Sequence, residues 1–119
     1  MFIAYEIAKQ LIVSLRPVVP ILQENDRELA DQLKRAAQSV LLNLAEGQKF
    51  ENGNRRKHYE IAQGSANEVK AALNAGEAWG WLVTRGEERA LLDRLLAVLW
   101  KLTHSPSIAK PDRRTRLGR

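Results

Sequence analysis

Cysteine is absent from the 119 residues, which excludes disulfide frameworks, thiolate zinc sites and cysteine nucleophiles, and suits a reducing compartment. Histidine occurs twice, at His58 and His104, and the residues three positions before them are Arg55 and Lys101. A di-iron bundle needs Glu-x-x-His pairs on one helical face, so that site is missing. Nor does a set of carboxylates gather about both histidines, as a zinc site would require. No Gly-rich phosphate loop or dinucleotide fingerprint occurs. Ser39 and Ser65 fall inside predicted helices with no histidine-plus-acid pattern nearby, which makes them packing residues rather than nucleophiles. These absences point away from an enzyme and imply neither metal nor cofactor. Long apolar runs are missing too: Glu6, Lys9, Arg16, Pro17 and Pro20 interrupt the first apolar stretch, and the opening lacks the basic start of a targeting segment. The expectation is a soluble, cytoplasmic protein with no membrane partner.

The length fits one domain large enough to bury its own core without covalent staples. Nineteen Lys and Arg against fourteen Asp and Glu give +5, and the excess is uneven. The stretch 110–119 carries net +4 in Lys110, Arg113, Arg114, Arg116 and Arg119 against Asp112, whereas residues 1–109 are nearly neutral at +1. Two readings of this tail stand side by side: a solvated terminus, or a polyanion-attracting arm that acts by releasing counterions. The domain division is therefore 1–105 for a helical body and 106–119 for a basic C-terminal tail.

Helical spacing runs nearly end to end. Ile3, Ile7, Leu11 and Leu15, with Ala4, Ala8 and Ile12, recur at three- and four-residue intervals. Pro17 and Pro20 end this helix near Arg16 or kink it. Asn25 with Glu28 has the form of a capping box opening a second helix over about 26–46, stopped by Gly47 as a left-handed cap. Its apolar stripe is Leu29, Leu33, Ala36 or Ala37, Val40 and Leu44. A third helix over about 54–79 carries Tyr59, Ala62, Ala66, Val69, Leu73 and Gly76, with Gly80 as its stop. Thr84 with Glu87 reads as a second capping box, opening a fourth helix that bears Leu91, Leu92, Leu95, Leu96, Leu99 and Leu102 and closes at Ser105-Pro106. Four helices with short links predict an all-α, antiparallel up-down-up-down four-helix bundle. Trp79, Trp81 and Trp100 are more bulk than a slim bundle holds inside. Trp100 reads either as an outward anchor at an oligomer interface or as a cap on the bundle's end.

The corner between the second and third helices concentrates polar residues. Asn43 and Glu46 share a face near a helix C-terminus, where the macrodipole disfavours an acid, so Glu46 calls for a compensating cation or amide donors. Across the loop, Arg55, Arg56 and Lys57 crowd a helix N-terminus. Basic side chains beside free amides form a phosphate site; the competing reading pairs them with Glu46 and Glu51. Gly64, within a predicted helix, costs about 1 kcal/mol relative to alanine, and close approach of a neighbouring helix is the expected reason.

The runs Gln32-Leu33-Lys34-Arg35-Ala36-Ala37-Gln38-Ser39-Val40, Asn43-Leu44-Ala45-Glu46-Gly47 and Tyr59-x-Ile61-Ala62-x-Gly64-Ser65-x-x-Glu68 resemble the four-helix-bundle proteins encoded by intervening sequences of bacterial large-subunit ribosomal RNA genes. The accessory variability determinant of diversity-generating retroelements is similar to these. The resemblance implies a protomer of a ring-shaped homopentamer and, in the retroelement branch, a basic surface that binds nucleic acid and docks a reverse transcriptase. The matching basic positions are Lys34, Arg35, Arg55, Arg56 and Lys57, to which the tail adds Arg113, Arg114 and Arg116. Asn43, Glu46, Gly47, Gly64, Ser65 and Glu68 match motif residues with a structural reading. The function expected is a non-enzymatic homo-oligomer that binds RNA or DNA weakly and without sequence preference. The alternative is an oligomeric protein-interaction scaffold that never touches nucleic acid.

Overall fold

A computed structural model of the chain describes residues 2–51 and 53–104. They form five helices: α1 (Ile3–Leu15), α2 (Val18–Asn25), α3 (Arg27–Gly47), α4 (Gly53–Ala78) and α5 (Glu87–His104). No strand occurs among the described residues. The fold is all-α.

The prolines explain why there are five helices. Pro17 and Pro20 offer no N–H to the carbonyls of Val13 and Arg16, so the α-helical ladder breaks. The Arg16 N–H instead bonds the Val13 carbonyl at 3.2 Å, and Pro17 stays right-handed at φ −77°. The chain thus bends between α1 and α2 without reversing. The α3 cap lies one residue later than the sequence pattern placed it. Asp26 takes an extended conformation and its Oδ1 accepts from the Leu29 N–H at 3.0 Å, whereas the Asn25 amide turns back to the Ile21 carbonyl. Gly47 is no left-handed cap, because Gly80, at φ +83°, is the single positive-φ residue among those described. Gly47 is the last residue of α3, and a Cβ there would stand 2.6 Å from the Tyr59 ring. Close approach of α4, rather than backbone freedom, selects this glycine.

Gly80 does stop α4. Its N–H bonds the Glu77 carbonyl and the Trp81 N–H bonds the Gly76 carbonyl, both at 2.9 Å, which is a Schellman closure. The expected cap at Thr84 is not formed, and α5 opens three residues later. Thr84 is buried; its N–H and its hydroxyl both donate to Glu77 Oε2. Arg89 completes the clasp, giving Nε to the Thr84 carbonyl at 3.0 Å and reaching Glu77 Oε1 at 3.2 Å and Asn74 Oδ1 at 2.9 Å. Hydrogen bonds from the Thr84 hydroxyl and amide, more than the Arg89 charge, hold the Glu77 carboxyl down at about 2.

α3 packs along α4, α4 against α5, α5 against α1, and α1 and α2 both lie against α3. The helix directions follow from side-chain pairs. Asn43 meets His58 and Ser39 meets Ser65, so α3 and α4 are antiparallel. Asn74 meets Arg89 and Gln63 meets Thr103, so α4 and α5 are antiparallel as well. The core these helices enclose takes Ala4, Ile7, Ala8, Leu11 and Leu15 from the first stripe, and Leu33, Val40 and Leu44 from the second. The third stripe is buried throughout, and the fourth gives Leu91, Leu92, Leu95 and Leu99. Ile3 is exposed instead of joining the core, and Ile12, Leu29, Leu96 and Leu102 are half-buried. The expected close of the last helix at Ser105-Pro106 lies outside the described residues.

Candidate nucleic-acid interface

The α3–α4 corner is built by the antiparallel pairing of two helix ends. One last α-helical bond, Gln48 N–H to Leu44, and two tightening three-residue bonds, Lys49 N–H to Glu46 and Phe50 N–H to Gly47, close α3. The last carbonyls then meet Arg55, whose guanidinium donates to the Gly47 carbonyl at 3.3 Å and the Gln48 carbonyl at 3.4 Å. A cation at the start of α4 is unfavourable for α4 but favourable for the C-terminus of α3 beside it, and a charge at such a terminus is worth about 0.3–1 kcal/mol. The hairpin places Arg55 where the second effect applies. Burial pushes the Tyr59 phenol upward, and Arg55 opposes the shift.

The other basic residues at the corner divide. Arg56 pairs with Glu60 one turn on, at 3.4 Å. Lys57 is exposed and has no ion-pair partner among the described residues. Glu46 receives its compensating cation from Lys49, 3.6 Å away in its own turn rather than on a neighbouring helix. Lys49 was missed in the sequence, although its three-residue spacing from Glu46 was the signal.

A polar ladder runs between α3 and α4 behind this surface. The Asn43 amide donates to the Ser39 carbonyl at 2.9 Å, which turns its Oδ1 toward His58 Nδ1, also at 2.9 Å. The Ser65 hydroxyl donates to Ser39 Oγ at 2.8 Å. His58 stacks on Phe50 with rings 5.8 Å apart and 3° from parallel. His58 therefore works as an organiser of the corner, a role its lone position in the sequence did not reveal. The signal lay in the spacing: Ser39 and Asn43 are four apart, and His58 and Ser65 seven apart, which puts each pair on one helical face.

Lys34 and Arg35 do not join Arg55, Arg56 and Lys57. Lys34 borders a groove of about 390 Å³ against Arg16, Val19 and Pro20, on the α1–α2 side of α3. Arg35 borders a separate groove of about 570 Å³ between α3 and α4, opposite Glu68. Gly64 is exposed, and nothing lies within 4 Å of a Cβ built on it, so the expected neighbouring helix is missing within the protomer. Trp100 points outward at 55% exposure. Arg113, Arg114 and Arg116 lie outside the described residues.

A family model described as 23S rRNA-intervening sequence protein matches residues 2–101, nearly the whole helical body. The chain belongs to that family. No curated protein and no solved structure matches it. The match spans all five helices to within three residues of the end of α5, and includes every motif residue from Asn43 to Glu68. No described helix is long and apolar enough to cross a membrane.

Proposed function

We propose that this family member is a cytoplasmic, non-enzymatic homo-oligomer that binds nucleic acid through phosphate contacts, with no base readout. Its protomer is a four-helix bundle in which α1 and α2 together make one bent arm. The observation that carries the reading is the basic corner: Arg55, Arg56 and Lys57 fall on consecutive positions at the opening of α4, and Lys49 extends them across the turn. Free amides at a helix start and surrounding cations favour phosphate oxygens. The tail residues Arg113, Arg114 and Arg116 add charge, and Lys34 and Arg35 add separate basic points on α3, away from the corner. A homopentameric ring multiplies +5 to about +25, enough for avid binding that weakens steeply with salt. A reverse transcriptase is the protein partner to test first.

The test is anisotropy of a labelled single-stranded RNA and a DNA duplex against salt, for the full chain and a chain ending at Pro106. Binding by both, steeply weakened by salt, supports a site on the helical body. Loss with the tail alone reduces the activity to the terminus, and no binding at low salt refutes the reading. A second reading, a protein-interaction scaffold, draws on the fact that Arg55 and Arg56 already have internal partners. It predicts that neutralising Arg56 and Lys57 leaves the protein's partner unchanged.

A further inference from the structure

The bend between α1 and α2 leaves a groove that the basic corner does not use. Three helices line it: α1 from Ile12, α2 through Val19 and Pro20, and α3 from Leu33 to Gln38. Leu15 and Leu33 are buried beneath it, whereas Ile12 and Val19 stay half-buried along its walls. Its volume of about 390 Å³ is that of a small-molecule pocket.

The charges around this apolar strip have one sign. Arg16 and Lys34 border it, and no carboxylate does. α2 and α3 pack together and are joined through Asp26 alone, so they are antiparallel. Arg16 lies ten residues before Asp26 and Lys34 eight after it, which sets the two at nearly the same height on facing walls. Both are exposed, and neither has an ion-pair partner among the described residues. Asp31 precedes Lys34 by three residues but does not border the groove. Two like charges over low-dielectric walls raise the local potential and favour an anion. Their aliphatic stems extend the apolar strip.

We propose that this groove binds an apolar monocarboxylate, its chain lying on Ile12, Leu15, Val19 and Leu33 and its carboxylate between Arg16 and Lys34. The guanidinium fork pairs with both carboxylate oxygens, and the ammonium adds a point charge. A straight alkyl chain suits the shape, because the groove follows α3 for about 8 Å between Leu33 and Gln38. Cations on facing walls converge on one anionic group, whereas a membrane surface calls for cations spread over a flat face. The site stands apart from the α3–α4 corner, and the inference does not depend on nucleic-acid binding.

Calorimetric titration of the full chain with decanoate, kept below its micelle concentration, tests the site. One decanoate is expected per chain. Octanoate is expected to bind about fifteenfold more weakly, from about fourfold for each lost CH₂. Decyltrimethylammonium, equal in chain length and opposite in charge, is expected not to bind. Arg16→Glu or Lys34→Glu alone is expected to weaken decanoate about ten- to hundredfold. The two together are expected to abolish decanoate binding and to admit decyltrimethylammonium, since the apolar strip is unchanged. Both positions are exposed, and circular dichroism checks that the variants keep their helices. Failure of decanoate to bind the wild type overturns the proposal, as does binding that survives the double reversal. Equal binding of the two amphiphiles overturns the part given to Arg16 and Lys34. Loss of decanoate with no gain of the cationic amphiphile overturns the apolar seat.

Discussion

Two helical glycines show how far a residue's identity depends on what faces it. Gly47 is the last residue of α3 and Gly64 lies inside α4, where propensity alone sets a cost of about 1 kcal/mol against alanine for the interior glycine. Their surroundings differ, since a Cβ on Gly47 would meet the Tyr59 ring at 2.6 Å and one on Gly64 would meet nothing. Gly47→Ala is therefore expected to destabilise by about 1–3 kcal/mol, because the buried ring must move. Gly64→Ala is expected to stabilise the isolated protomer by about 1 kcal/mol. Chemical denaturation at a concentration where the chain is monomeric reads both, and equal signs would refute the assignment. The sequence marked both glycines as exceptional, but the reason differs at Gly47, and at Gly64 the expected neighbour is not found within the protomer. It gave Gly47 a backbone role and Gly64 a close neighbour, because the atoms facing a glycine come from a residue remote in the chain.

At the scale of elements, the apolar stripes and breaks were legible and the caps were not. Spacing located the four stripes, and the prolines located the bend between α1 and α2, because both effects act within one or two turns. The two capping boxes failed for a shared reason: several short polar residues compete at each helix start, and the backbone angle decides among them. Asp26, extended at φ −158°, outcompetes Asn25, and its replacement by Ala is expected to cost about 1 kcal/mol, measured by thermal melts. Thr84 is claimed by Glu77, seven residues upstream, across the α4–α5 connection. That clasp makes stability depend on pH. The folded-state value of Glu77, about 2, lies below its ordinary 4.5, so its contribution is fully present above 4.5 and lost as pH falls toward 2. Glu77→Gln is expected to lower the melting temperature at pH 7, with the difference from wild type shrinking below pH 4.5 and gone near pH 2. A constant difference across that window would show that Glu77 acts through packing instead.

For the whole molecule, the arrangement of charge matters more than its sum. The residues 1–109 are nearly neutral, yet Lys49, Arg55, Arg56 and Lys57 share the α3–α4 corner while Lys34 and Arg35 border two different grooves. If the corner binds phosphate, neutralising Arg56 and Lys57 together is expected to reduce the slope of log affinity against log salt by about two, roughly one per lost contact. An unchanged slope would move the site to the tail. The sequence by itself determined the helical class, the position of the bend, the buried stripes and the family likeness, because each is written in local spacing. Only the tertiary structure decided that Arg55 serves the end of α3, that His58 organises the polar ladder, that Lys34 and Arg35 part company, and that Gly64 faces open space. Those outcomes depend on which helix lies beside which, and helix spacing along the chain does not contain that information.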